Sequence, residues 1–262
     1  MDDGGWLPSG LARDELAQRQ EQFGVAEDQV MRDHLISVLL AALATSPVRG
    51  DVLFIGGTAL ARTHLIDFRL SEDIDLLVAG RRVETARAVT RAFERAIARN
   101  YGAPRWTPRL ETTRGSQPAV MSVEDGRLSV QIQLLAADGY PKWPTEERAI
   151  EQRYSDVAPA RLRTLTAEAF AAAKAAVWFD RRAPRDLADL FGLARIGAVT
   201  PAAAELFARL GPTGAPPGPW MFREAPSEEA WRTALAHQGR MPVGPAEALA
   251  AVAEAWQRAK RT

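Results

Sequence analysis

The sequence predicts an α+β fold in which a lobe of mixed sheet and helices precedes a mainly helical lobe. In the first half, short apolar runs alternate with segments of helical periodicity. Two apolar-alternating runs flank Glu124-Asp125-Gly126, and Asp-Gly is a strong turn dipeptide. In the second half, helix-capping signals replace the strand patterns. We place the boundary near residue 160, which gives lobes over 1–160 and 161–262.

The first lobe contains three helical patterns and several strands. Helical periodicity marks 28–44, which Pro47 closes, and also 58–65 and 83–99. Strand patterns occupy 51–55, 74–78 and the two arms of a hairpin within 118–135. Strands mixed with helices in this way predict a mixed sheet covered by helices.

The predicted helices of the second lobe begin at capping signals. Thr166 is an N-cap residue, Pro184 suits a first helical turn, and Thr200-Pro201 supplies both features together. A Pro/Gly-rich loop occupies 211–220. The helices are predicted over 166–180, 184–196, from 201 onward, 227–237 and 245–260.

Composition excludes several classes of protein. A formal net charge of +0 leaves no global basic field for nucleic acid, so such binding needs a local patch. The absence of cysteine excludes disulfides and thiolate zinc sites and fits a reducing compartment. The acidic start lacks the order of a signal peptide, and the longest apolar run, 35–44, is too short to span a bilayer. We expect a cytoplasmic protein with no membrane partner.

The stretch LSEDIDLLV, residues 70–78, places acids at the start of a buried strand. Alternate residues share a face, so Asp73 and Asp75 project together with Cα atoms about 6.6 Å apart. Two carboxylates this close repel each other unless a cation lies between them. Mg²⁺, or Mn²⁺, prefers such carboxylates together with phosphate oxygens. The alternative is a solvated strand end without a metal.

A glycine pair one strand earlier supplies the complementary half of a nucleotide site. Gly56 and Gly57 follow an apolar strand and precede Thr58, at the opening of a helix. Backbone N–H groups at such a turn can approach phosphates, and the Thr58 hydroxyl can add a contact. We therefore expect the glycine turn to bind the phosphates of an NTP and the aspartates to bind the metal. Most isolated Gly-Gly pairs are only turns.

Two ordered motifs together resemble a known family. "GGTALARTHL…FRLSEDIDLLV" resembles the core of the nucleotidyltransferase superfamily and looks most like the AbiEii/AbiGii toxins, which include the MenT-like toxins of toxin–antitoxin pairs. That family also has a helix lysine followed by R-D-L-x-D-L. Lys174 and the run 185–190, RDLADL, match that second signature. The resemblance spans about 52–193.

The resemblance implies a site and a reaction. Lys174 is expected to bind triphosphate, and Asp186 or Asp189 to act as a further active-site acid, with the helical lobe contributing to the site. Only three of 33 basic residues are lysines, and an ammonium is a compact point charge for phosphate. An exposed helix lysine and a structural salt bridge are the alternatives. The resemblance implies that the acceptor is the 3′ end of an RNA, that of tRNA, so that transfer blocks translation, and that a cognate antitoxin is a partner.

The strand over 128–135 departs from the superfamily pattern. Many members carry a third carboxylate there, whereas this chain offers Gln131 and Gln133. Three alternatives follow: Asp186 or Asp189 takes the place of the third carboxylate, the reaction needs only two carboxylates, or catalysis is lost.

Ser71 shares the strand face of Asp73, so it can bind phosphate or accept a modifying phosphoryl group. The added negative charge would repel the triphosphate.

Two other functions remain open on the sequence. A small-molecule nucleotidyltransferase of the aminoglycoside type keeps the site, and the neutral net charge suits it. A catalytically inactive nucleotide-binding or interaction protein is the other alternative, which Gln131 and Gln133 support. The three histidines are isolated, and neither a zinc-hydrolase nor a serine-hydrolase motif is present.

Overall fold

A computed structural model describes residues 6–260 of the 262-residue chain. Residues 1–5, part of the acidic start, and 261–262, the end of the predicted helical lobe, lie outside the described residues. Within that range the fold is α+β, as predicted: a five-stranded mixed sheet, a separate two-stranded hairpin and helices around them. No helix among residues 6–260 is both long and apolar enough to cross a membrane.

The elements follow the chain in this order. The helices are α1 (Arg13–Phe23), α2 (Glu27–Thr45), α3 (Gly56–Thr63), α4 (Arg82–Ile97), α5 (Ala167–Arg181), α6 (Pro184–Arg195), α7 (Pro201–Leu210), α8 (Glu228–Leu235) and α9 (Pro245–Ala259). The strands are β1 (Val52–Ile55), β2 (Asp73–Val78), β3 (Arg105–Thr107), β4 (Ala119–Val123), β5 (Leu128–Ala136), β6 (Thr145–Ile150) and β7 (Ala160–Leu165).

The main sheet has the strand order β1-β2-β5-β4-β3. β2 runs antiparallel to β1 and parallel to β5, and the remaining pairs are antiparallel. β6 and β7 form the second sheet, which is tied to the first by the Thr164 hydroxyl donating to the Phe54 carbonyl at 2.8 Å. β2 is thus a central strand, and whatever it carries on its polar face is held by neighbours on both sides.

Strand β2 is anchored by its apolar residues. Ile74 and Leu76 are fully buried, whereas Asp73 and Asp75 are only partly buried on the alternate positions. On the buried side, α2 and α4 pack together and both contact β5. Burying these aliphatic side chains stabilises the strand by roughly 2 kcal/mol each, which fixes the aspartates on the other face.

The C-terminal helices pack into a layer beside the sheet. The Thr166 hydroxyl accepts the Ala169 N–H at the start of α5, and Thr200 caps α7 in the same way at 3.2 Å. Helix α6 starts at Pro184, where a missing N–H costs nothing. Helix α6 contacts α5, α8 and α9, so it lies at the centre of this layer.

Most predicted elements are confirmed, with shifts of a few residues at their ends. Helix α3 begins at Gly56, so both glycines lie within its first turn. Helix α1 and strands β3, β6 and β7 were not predicted. The division at residue 160 stays a prediction, and β7, which begins at Ala160, pairs with β6 on the other side of it.

Candidate active site

A polar cavity of about 250 Å³ opens where β2, α3, α5 and α6 meet. Most of the residues predicted to form the site line it. Those residues are Gly57, Ser71, Asp73, Asp75, Lys174 and Asp186, and the other lining residues are Arg69, Pro118, Gln131, Gln133, Arg181 and Arg185. The structure thus brings together two sequence motifs that lie about a hundred residues apart.

The glycine pair lies directly against the aspartates. Gly56 adopts a φ of +81°, and a Cβ atom there would collide with the Oδ2 atom of Asp75. A Cβ atom on Gly57 would meet the Ser71 hydroxyl at 3.2 Å and the Arg69 guanidinium at 3.1 Å. A residue without a Cβ atom is therefore required at position 56, both for this backbone conformation and for the close approach of the Asp75 carboxylate.

Thr58 and Ser71 take different positions. Thr58 is buried, and its hydroxyl donates to the main-chain carbonyl of Asp73. It therefore ties α3 to the start of β2 from behind, and it is not among the residues that line the cavity. Ser71 does line the cavity, on the same side as Asp73, where its hydroxyl is available to a ligand.

The two aspartates resist ionisation. Burial, reinforced by the charge of Asp73, raises the pKa of Asp75 to about 6. Burial and the charge of Glu72 also raise the pKa of Asp73 above its ordinary value. Each shift has the sign expected for carboxylates that are crowded together and poorly hydrated. A bound cation would reverse both effects.

The donor set fits a divalent cation that receives its remaining ligands from a substrate. Mg²⁺ in phosphoryl-transfer sites takes one or two carboxylates and completes its shell with phosphate oxygens and water. Asp73 and Asp75 offer those carboxylates at one wall of the cavity. Within residues 6–260, no group of three or more His, Cys, Asp or Glu side chains is placed to hold a metal by itself.

Lys174 is held between the two acids of the second motif. Its Nζ lies 2.6 Å from Oδ2 of Asp189 and 3.4 Å from Oδ1 of Asp186. Burial alone would lower the pKa of Lys174, but the charges of these two carboxylates outweigh it and raise the pKa. The lysine therefore stays charged beside Asp75, on the wall of the cavity.

Two arginines complete the ion pairs of those acids. Arg181 binds Asp186 through two hydrogen bonds, of 2.7 and 3.0 Å, and Arg69 lies 2.8 Å from Asp189. Burial opposes ionisation of Asp189, yet the charges of Arg69 and Lys174 hold its pKa below the ordinary value. Both acids are thus partners of cations, and Asp189 is not among the cavity-lining residues.

The chain near its C-terminal end reaches the start of β2. Gln238 is buried; its side chain accepts from Arg69 at 2.6 Å and donates to Glu72 at 2.8 Å. The Leu70 N–H donates to the Gln238 carbonyl at 2.7 Å. Glu72 also pairs with Arg32 at 3.2 Å and with Arg185 at 3.6 Å, and it is not among the residues that line the cavity. Sequence reasoning missed Gln238, because no local pattern marks a contact made across 166 positions.

Strand β5 carries amide side chains on the strand where many superfamily members have a third carboxylate. Gln131 is in register with Asp73, and Gln133 with Asp75. Both line the cavity, and the Gln133 amide donates to the Ser116 carbonyl. The arginine-rich helix α4 does not line this cavity, and its Arg82 donates to the carbonyls of Leu134 and Thr113 and thus has a structural role.

A family profile described as the nucleotidyl transferase AbiEii toxin of a type IV toxin–antitoxin system matches residues 38–259. The chain belongs to the AbiEii family. The match continues to residue 259, well beyond the stretch that the sequence motifs covered, and it agrees with the contacts that Gln238 makes beside β2. No curated protein sequence matches the chain significantly.

Solved structures share the fold of this AbiEii family member. The nucleotidyltransferase toxin MenT4 of Mycobacterium tuberculosis superposes with a TM-score of 0.72 at 21% identity, over 97% of this chain and 91% of that one. A candidate nucleotidyltransferase from H. pylori gives a TM-score of 0.55 at 14% identity, over 90% of this chain and 96% of its own. At these identities the likeness concerns the fold. Together with the family match, it makes this chain a nucleotidyltransferase of a toxin family.

Proposed function

We propose that this AbiEii family member transfers a nucleoside monophosphate from an NTP to an RNA acceptor, the 3′ end of tRNA, and thereby blocks translation. The observation that carries the proposal is the polar cavity, in which Asp73 and Asp75 face Lys174 across a space of about 250 Å³. Carboxylates for a metal and a lysine for phosphates are the two requirements of phosphoryl transfer.

The chain's residues divide the work of binding the donor. Asp73 and Asp75 hold Mg²⁺ or Mn²⁺, which when bound supplies charge neutralisation for the phosphate oxygens. Lys174 and the N–H groups at the start of α3, at Gly56 and Gly57, hold the β- and γ-phosphates. Ser71 adds a hydroxyl on the same side. The ion pairs of Asp186 and Asp189 fix the position of Lys174 and keep it charged.

The reaction exchanges one phosphorus–oxygen bond for another. The acceptor's hydroxyl oxygen bonds to the α-phosphorus, the bond from that phosphorus to the bridging oxygen breaks, and pyrophosphate leaves. Strand β5 carries Gln131 and Gln133 beside the aspartates and offers no carboxylate, so the hydroxyl proton passes to solvent. Orientation and charge stabilisation supply the catalysis.

The RNA acceptor is supported by cations at the mouth of the cavity. The side chain of Arg181 is 59% exposed and that of Arg185 is 40% exposed, and both line the cavity. These guanidinium groups can contact backbone phosphates of an incoming strand. We also propose a cognate antitoxin, in keeping with the family, and action in the cytoplasm, where the cysteine-free chain meets NTPs and tRNA.

Two alternatives give different results. A small-molecule acceptor of the aminoglycoside type is favoured by the net charge of +0 and would give drug resistance instead of growth arrest. An inactive nucleotide-binding protein is favoured by Gln131 and Gln133 and would bind NTP without turnover. The test is incubation of the protein with labelled NTPs, Mg²⁺ and total tRNA. The proposal requires label in tRNA from the wild type and none from Asp75→Ala, and unlabelled tRNA with both proteins contradicts it.

A further inference from the structure

A second, less polar cavity of about 190 Å³ adjoins the polar one. Five residues line both cavities: Gly57, Asp75, Gln133, Lys174 and Arg181. The two spaces therefore meet at Asp75, to which the proposed function assigns the metal, and at Lys174, to which it assigns the donor's β- and γ-phosphates. A ligand that crosses from one cavity to the other passes directly over Asp75.

Apolar side chains cover most of the second cavity. Phe170 and Val177 come from α5, and Leu135 and Leu165 come from the ends of β5 and β7. Phe170 is buried and packs edge-on against His64, with ring centroids 5.5 Å apart, so this wall is fixed. An apolar pocket with polar groups at one end suits a flat heterocycle that carries a charged substituent.

Tyr140 adds an aromatic ring and a hydroxyl to this lining. Its N–H donates to the Ala137 carbonyl at 3.1 Å, and the Ala137 N–H donates to Val78 of β2 at 2.8 Å. The connection after β5 is thus anchored to the strand that carries the aspartates. The Tyr140 hydroxyl can donate a hydrogen bond to a ligand in this cavity.

We infer that this second cavity binds the base and ribose of the donor NTP, with the ring of Tyr140 in contact with the base. The inference rests on the proposed function and names the subsite for its donor. The base of an NTP is joined to its phosphates through one sugar, so it must occupy a space that borders the phosphate site. An aromatic ring can stack on any of the bases, and such stacking contributes enough binding free energy to be measured.

The acceptor has a different approach. Pro118, Gln131 and Arg185 line the polar cavity and do not line the second one. They form the side of the polar cavity away from Tyr140, where an incoming hydroxyl can reach the phosphorus opposite the leaving pyrophosphate. Donor and acceptor therefore occupy separate walls of one site, and they are separable by mutation.

Calorimetric titration of the full chain with Mg²⁺ and each of ATP, CTP, GTP and UTP tests the subsite. Inorganic triphosphate with Mg²⁺ serves as the ligand without a nucleoside. Tyr140→Ala is expected to raise the Kd of the NTP that the wild type binds most tightly by roughly tenfold, and to leave the Kd of triphosphate unchanged. Tyr140→Phe keeps the ring and is the matched control, with affinity close to that of the wild type.

A second variant covers the case in which Tyr140→Ala fails to fold. Val177→Trp fills the cavity from α5 and is expected to exclude NTP while triphosphate still binds. Equal losses for NTP and triphosphate, or no loss of NTP affinity in either variant, overturn the inference. An increase in the KM for tRNA with unchanged affinity for NTP also overturns the inference, because it would show that the acceptor occupies the second cavity. All of these results can be obtained even when the wild-type protein transfers label to tRNA. A failure of this inference is therefore distinguishable from a failure of the proposed function, in which the wild type transfers no label.

Discussion

The charge of Asp75 has an energetic consequence that can be measured on the folded chain. Its pKa of about 6 in the folded chain lies above the ordinary aspartate value of 3.8. Folding therefore disfavours the ionised form, and the cost is absent below about pH 4 and complete above the folded pKa. The same carboxylate that weakens the metal-free fold is the one that a cation would stabilise.

Asp75→Asn is accordingly expected to stabilise the metal-free protein at neutral pH. The free energy of unfolding at pH 7.5 should rise by on the order of 1 to 3 kcal/mol, because the amide avoids the buried charge. At pH 4 the difference should fall below about 1 kcal/mol, since Asp75 is then protonated in the folded chain and only partly ionised in the unfolded one. Urea unfolding in EDTA measures both values, with exposed Asp138→Asn as the control. A destabilised Asp75→Asn at pH 7.5 would contradict the account.

The choice of lysine at position 174 also has a residue-scale explanation. Asp186 already accepts a two-bond interaction from Arg181, and Asp189 already pairs with Arg69. A third guanidinium would have to compete for the same oxygens, whereas an ammonium lies between the two carboxylates. The sequence alone singles out Lys174, but the reason why position 174 is lysine and not arginine depends on the positions of Arg181 and Arg69 in the structure.

At the scale of elements, the contact between α3 and β2 sets the geometry of the site. The first turn of α3 lies against the Asp75 carboxylate at Gly56, and the Thr58 hydroxyl holds the Asp73 carbonyl. Helix and strand are thus fixed to each other at the residues proposed to bind phosphate and metal. Small displacements here change the distance between the two halves of the site.

Gly56→Ala tests that contact against a matched glycine. Gly80 also has a positive φ, of +104°, but a Cβ atom there meets open space. Both substitutions carry the backbone cost of roughly 1 to 3 kcal/mol, and only Gly56→Ala adds the collision with Asp75. Transfer activity should fall about a hundredfold in Gly56→Ala and stay near wild type in Gly80→Ala. Equal activities in the two variants would refute a steric role for Gly56.

Gln238 joins the C-terminal segment to the start of β2, and the contribution of this contact to stability can be measured. Gln238→Ala removes two hydrogen bonds to charged groups in a buried position. The free energy of unfolding should fall by about 2 to 3 kcal/mol. Gln257→Ala, on the exposed face of α9, should change it by no more than about 0.5 kcal/mol. Urea midpoints measure both, and a Gln238→Ala midpoint equal to that of the wild type would disprove the contact's importance.

Elements with strong patterns were predictable, and those stabilised by distant contacts were not. Helix α4 has a clear apolar stripe and was found from its period, whereas α1 buries only Leu16 and Phe23 and has no such stripe. Strand β6 alternates exposed and partly exposed residues and pairs with β7 across a long connection. Its pattern is therefore too weak to distinguish a strand from a loop.

At the scale of the whole molecule, the sheet and the helical layer each supply one half of the site. Strand β2 carries the aspartates, and α5 and α6 carry Lys174 and its partner acids. The chain motifs predicted these residues, because each combines unusual chemistry with a fixed local spacing. The sequence could not predict Tyr140 at the second cavity or Gln238 beside β2, since only tertiary folding brings these two side chains there.

The fate of the α-phosphate distinguishes nucleotidyl transfer from other reactions of an NTP. Purified protein is incubated with Mg²⁺, tRNA and NTP carrying ³²P at either the α- or the γ-position. The account predicts that α-label enters tRNA, that γ-label is released in pyrophosphate, and that EDTA or Asp75→Ala abolishes both. Incorporation of γ-label into tRNA, or α-label transfer that persists in Asp75→Ala, would contradict nucleotidyl transfer by the site described above.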